Sequence, residues 1–176
     1  MDSDLRVILK ALEFAARKHR DQRRKGAEGT PYINHPIALA HLLGNEAQIS
    51  DPIVIAAAIL HDTLEDTETQ VTELMREFGA EIAGIVLEVT DDNRLPQAER
   101  KRLQVEQTSA LSARAKLVKL ADKICNLRDI HTSPPVGWSL ERRRAYFDWA
   151  KQVVDRLRGT HPRLEQLFDA AYRYKP

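Results

Sequence analysis

Ala56-Ala57-Ala58-Ile59-Leu60-His61-Asp62-Thr63-Leu64-Glu65-Asp66-Thr67 opens as an apolar helix and closes on an imidazole and three carboxylates. Asp51 and Pro52 just upstream suit the N-cap and the first helical position. They predict a helix over Ile53 to Leu60 that is apolar on most sides and therefore buried. The polar cluster then sits at the end of a core helix. If the helix continues, Asp62 has Glu65 at i+3 and Asp66 at i+4, and His61 has Glu65 at i+4, so the groups crowd one rim. Carboxylates this close repel one another and resist desolvation unless a cation, protons or basic side chains offset them. A divalent metal is the simplest answer.

To the N-terminal side, Leu5, Ile8, Leu9, Leu12, Ala15 and Ala16 recur at spacings of three and four, predicting an amphipathic first helix that ends near His19. Arg20 to Asn34 breaks this period with a basic cluster, glycines and a proline, as a loop does. His35-Pro36 then opens a helix carrying Ile37, Leu39, Ala40, Leu42 and Leu43, with Pro36 suited to its first position.

To the C-terminal side, Val71, Leu74, Met75 and Phe78 predict a short helix stopped by Gly79, and Ile82, Ile85, Val86 and Val89 predict another. Pro96 starts a charge-rich helix through about Gln107, expected to face solvent. Ala115 to Ile130 carries Leu117, Leu120, Ala121, Ile124 and Leu127 on one face, with Asp122 inside it and Asn126 one turn further on. Trp138 to Leu157 and Leu164 to Tyr172 add two helices. With no run of strands, no repeat and no interdomain linker, the expectation is an all-α, single compact domain over residues 1–176.

Composition narrows the function classes. The 176 residues are 43% hydrophobic and 30% charged, enough to bury a real core. A formal net charge of +1 argues against a general nucleic-acid binder, so any anion site must be local. Cys125 is the only cysteine, which excludes an intrachain disulfide and a Cys-based zinc site and points to a reducing compartment. No apolar run approaches the ~18 residues of a membrane span, and the first residues lack the basic and apolar regions of a signal peptide. The expected location is cytoplasmic, with no membrane partner. Oligomeric state is left open.

Singly, His35, His61, Asp62 and Asp122 each have an ordinary explanation as capping, surface or hydrogen-bonded residues. Together they form an ordered set: His, then His-Asp, then Asp, each at the start, end or interior of an expected core helix. Two imidazoles and two carboxylates suit manganese or iron, leaving positions open to water and a phosphate oxygen.

The ordered set and its surroundings resemble the HD phosphohydrolase superfamily, and more narrowly the hydrolase domains of the RelA/SpoT alarmone enzymes. The resemblance is carried by Gln22-Arg23-Arg24-Lys25, Gly29 to Pro36, Leu60 to Thr67, Glu88 to Asp92 and Lys116 to Lys123, within core motifs over about 20–130. It extends through Gly137-Trp138-Ser139 and Tyr146 to Ala150 in the C-terminal helices, 138–172, as in the stand-alone small hydrolases of the metazoan SpoT-homologue type.

This resemblance implies a manganese-dependent hydrolase that removes pyrophosphate from the 3′ position of ppGpp, leaving GDP, and likewise converts pppGpp to GTP. It assigns His35, His61, Asp62 and Asp122 to the metal, and Glu65 and Asp66 to orienting and deprotonating the attacking water. Arg24 and Lys25 match a basic pair beside the nucleotide, Asn126 a ribose or phosphate contact, and Tyr32, Arg142 and Tyr146 the pocket wall. Removal of the 2′-phosphate of NADPH is the alternative activity for the same groups, and a catalytically inactive nucleotide-binding module is the alternative of a different class.

Overall fold

The structure is a computed structural model and describes residues 2–176. The chain runs α1 Asp2–Lys18, α2 Asn34–His41, α3 Pro52–Leu60, α4 Thr63–Asp66, α5 Val71–Val89, α6 Gln97–Gln107, α7 Ala113–Thr132, α8 Leu140–Asp155 and α9 Pro162–Tyr172. A π-helical turn, Leu42–Glu46, follows α2, and a 3₁₀ turn, Thr108–Ala110, precedes α7. Among the described residues no strand forms, only two isolated antiparallel bridges. The all-α expectation holds.

Helix α3 starts as its sequence dictates: the Asp51 carboxylate accepts the Ile53 N–H at 3.0 Å, and Pro52 occupies the first turn. Every residue from Val54 to Leu60 is buried. A helix apolar on all sides must be covered on all sides, and α1, α2, α5 and α7 pack around it. Helices α8 and α9 then pack against α7, and Trp149 Nε1 donates to the Lys101 carbonyl at 3.0 Å, joining α8 to α6.

Several local expectations need correction. The buried face of α1 is Ala11, Phe14 and Ala15, whereas Leu5 and Leu9 in the N-terminal half of the helix are 58% and 54% exposed. Helix α2 begins at Asn34, so Pro36 is its third residue, where the missing N–H still costs nothing. The expected break at Gly79 is a kink inside α5: φ of 82° there suits a residue with no Cβ, and helix resumes at once. Helix α3 does not run on through the acids. It ends at Leu60, turns through His61 and Asp62, and α4 restarts at Thr63, with Asp66 N–H donating to Asp62 C=O at 2.8 Å.

The loop over Arg20 to Asn34 folds against the connection between α7 and α8. Gly26 bridges Pro135, and the Val136 N–H donates to Lys25 C=O at 2.9 Å. A Cβ at Gly26 would collide with the Ser133 hydroxyl. This close approach closes one wall of the cleft described next.

Candidate active site

His35 comes from the first turn of α2, His61 and Asp62 from the end of α3, and Asp122 from the middle of α7. The packing of α2 and α7 on α3 brings them together. His61 Nε2 lies 2.9 Å from Asp62 Oδ2 and 3.9 Å from Asp122 Oδ1; His35 Nε2 lies 3.4 Å from Asp122 Oδ1 and 3.9 Å from Asp62 Oδ2. Donor atoms of His35, His61 and Asp62 all fall within 4.8 Å of one another. An ion bonded at about 2.1 Å separates neighbouring donors by about 3–4 Å, the spacing seen here.

The imidazoles are prepared for such a role. His61 Nδ1 is 2.8 Å from the Ala58 carbonyl, which only accepts, so Nδ1 carries a proton and Nε2 is the nitrogen that faces the carboxylates. Among the described residues His61 Nε2 is buried without an aligned hydrogen-bond partner, and so is His35 Nδ1. Burial alone would push the His61 imidazolium down, yet Asp62 first and then Asp122 raise it to about 9. His35 moves the other way, lowered chiefly by its burial. Burial would raise Asp62 and Asp122, but His61 beside the one and Lys123 beside the other hold both below the usual carboxylate range. The cluster therefore demands positive charge, and its donor set suits a divalent metal.

Around it stands a layer of polar contacts. Asp122 pairs with Lys123 Nζ at 3.0 Å and accepts from Asn126 Nδ2 at 2.5 Å; Lys123 Nζ in turn sits 4.4 Å above the Trp149 ring. The Tyr32 hydroxyl lies 2.6 Å from Asp62 Oδ2 and 3.1 Å from Asp66 Oδ2, so Tyr32 touches the acids as well as the pocket wall. Burial, then Asp62, raises Asp66. Glu65 accepts the Asp91 N–H at 3.1 Å and meets Arg100 Nη1 at 3.3 Å. Burial, then the Asp91 charge, with Asp62 and Asp66 adding, pushes Glu65 up to about 7.

These residues line a cleft of two adjoining lobes. The inner lobe, about 390 Å³, holds the His–Asp cluster with Glu65 and Asp66; the outer lobe, about 600 Å³, is walled by Arg24, Lys25, Tyr32, Asn126, Trp138, Arg142 and Tyr146. All twelve site residues expected from sequence therefore border one cleft. Arg24 is not the exposed loop residue its surroundings suggest: its guanidinium pairs with Asp129 at 2.5 Å and lies 5.5 Å from the Tyr32 ring. Arg142 stacks on Trp138 at 4.5 Å.

Sequence reasoning missed Asp129 and the inner edge of α6. Gln97, Arg100, Lys101 and Gln104 border the cleft, although α6 buries no residue and was expected to face solvent. Their spacing of three and four is the signal that could have found them, since it puts them on one face.

Fold and site define a class: an all-helical protein whose His and Asp side chains, drawn from three helices, can hold a metal inside a polar cleft. The chain belongs to the HD-domain family, whose model, described as HD domain, matches residues 11–145. It is 54% identical over 175 residues to the guanosine-3′,5′-bis(diphosphate) 3′-pyrophosphohydrolase MESH1 of Homo sapiens, covering 99% of this chain and 98% of that one. The Danio rerio protein of the same name is 56% identical over 164 residues, covering 93% and 91%. A solved structure described as "A metazoan ortholog of SpoT hydrolyzes ppGpp and plays a role in starvation responses" superposes with a TM-score of 0.92 at 50% identity, covering 95% of this chain and 94% of that one. No helix is long and apolar enough to cross a membrane among the described residues.

Proposed function

We propose that this chain hydrolyses the 3′-pyrophosphate of ppGpp to give GDP and pyrophosphate, and pppGpp likewise to GTP, with manganese as its metal. The observation that carries the reading is the junction of a His–Asp cluster with a basic, aromatic cleft large enough for a nucleotide. Relatives named as 3′-pyrophosphohydrolases of this compound, similar over nearly the whole chain, support the same substrate.

His35, His61, Asp62 and Asp122 would hold the manganese, which when bound supplies charge neutralisation and a more acidic water. Glu65 and Asp66 align the attacking water and accept its proton. A carboxylate raised to about 7, as Glu65 is, is matched to proton transfer near neutral pH. Arg24 and Lys25 neutralise phosphate charge, and Asn126, Tyr32, Arg142 and Tyr146 bind and orient the nucleoside. Water adds to phosphorus, the bond from phosphorus to the ribose 3′ oxygen breaks, and that oxygen takes up the proton the water gave to the acids and leaves as the hydroxyl of GDP. No side-chain nucleophile is required.

The test is turnover of ppGpp and of NADPH by the manganese-loaded protein, compared as kcat/KM. The reading predicts a clear preference for ppGpp. A large preference for NADPH would make 2′-dephosphorylation the activity, and binding of ppGpp without turnover of either would make the chain a non-catalytic module.

A further inference from the structure

Of the cleft-lining side chains on α6, Arg100 is tied most directly to a proposed reacting group. Its Nη1 lies 2.7 Å from Asn93 Oδ1 and 3.3 Å from Glu65 Oε1, and Asn93 Nδ2 donates to the Glu65 backbone carbonyl at 2.6 Å. The second oxygen of Glu65 accepts the Asp91 N–H at 3.1 Å. Both carboxylate oxygens and the main chain of Glu65 are thus held from α6 and the turn before it. Only 25% of the Arg100 side chain and 21% of that of Glu65 is exposed.

Arg100 Nε is buried and has no hydrogen-bond partner among the described residues. The group that Arg100 does meet is crowded by acids: Glu65 feels the charges of Asp91, Asp62 and Asp66 together. Without a nearby cation and a second fixed donor, that carboxylate would swing away from its neighbours.

We propose that Arg100, braced by Asn93, is a positioning residue for the hydrolysis: it holds the Glu65 carboxylate facing the inner lobe and offsets part of its charge. This rests on the reading of Glu65 as a group that handles the attacking water. Arg100 itself touches neither the metal ligands nor the reacting atoms in this scheme.

The test is a double-mutant cycle of Glu65→Gln and Arg100→Met in the full chain, with kcat and KM for ppGpp, manganese content and Tm measured on each preparation. Arg100→Met should lower kcat by about 10–100-fold, with manganese retained and KM changed by less than about threefold. Arg100→Lys, which keeps one charged donor, should recover part of that loss. In the Glu65→Gln background, Arg100→Met should cost less than about threefold more. If Arg100→Met does not fold, Arg100→Lys and Asn93→Ala carry the same cycle. A large Glu65→Gln loss beside an additive or absent Arg100 effect, or an Arg100 effect on KM alone, overturns the proposal while leaving the role of Glu65 standing. Near-normal kcat in Glu65→Gln overturns both.

Discussion

Glu65 and Asp66 adjoin in the chain but meet different neighbours, Glu65 the Asp91 N–H and Arg100, Asp66 the Tyr32 hydroxyl. Among the described residues neither forms an ion pair with Arg23, Arg24 or Lys25, so a merely salt-bridging role with the basic loop has no support in the geometry. Glu65→Gln and Asp66→Asn keep size and remove the charge that the proposed role requires to accept a proton. At least one should lose about 10²–10⁴-fold in kcat with manganese content unchanged. Measuring both quantities on one preparation decides the matter, since near-normal kcat in two metal-replete variants removes the catalytic role. The four cluster residues were legible because each marks the end or the interior of an apolar helix. The Arg24–Asp129 and Arg100–Glu65 contacts were not, because they join residues 105 and 35 positions apart, and only the loop paths bring those together.

At the scale of elements, α3 was readable from its own residues, since its cap, its first-turn proline and its apolar run all act locally. Helix α6 was misjudged for a physical reason: polar side chains facing a polar cleft have the same sequence pattern as those facing bulk solvent. The π-helical turn Leu42–Glu46 also has no evident sequence signal, and its end is pinned by tertiary contact. Glu46 receives both terminal nitrogens of Arg128 on α7, at 2.7 and 2.9 Å. That hydrogen-bonded pairing holds the Glu46 carboxyl below its ordinary value. A lowered folded-state pKa contributes stability that is present above the unfolded value and is lost as pH falls through the folded one. Glu46→Gln should therefore cost about 0.5–1 kcal/mol near pH 7, kept small by the partial exposure of both groups, and the difference from the parent should shrink as pH falls below the ordinary carboxylate range and through the lowered folded-state pKa. Denaturant midpoints near neutral pH and in acid check it, and a constant difference across them would count against the ion pair.

On the scale of the whole molecule, the cleft exists because α2, α3 and α7 converge on it, so ligand binding there is coupled to the stability of the fold. Manganese at about 100 times its Kd should add about 2.7 kcal/mol, or about 5–10 °C in Tm for a chain of this length, and His61→Ala should abolish most of the rise. Equal shifts in the parent and the variant would place the binding elsewhere. The central claim is water attack on the 3′-pyrophosphate, and product analysis of ppGpp hydrolysis in ¹⁸O-labelled water tests it most directly. The prediction is GDP and pyrophosphate in equal amounts, with a single ¹⁸O in the pyrophosphate and none in the nucleotide. Inorganic phosphate as the released product, or label in the GDP, would contradict it.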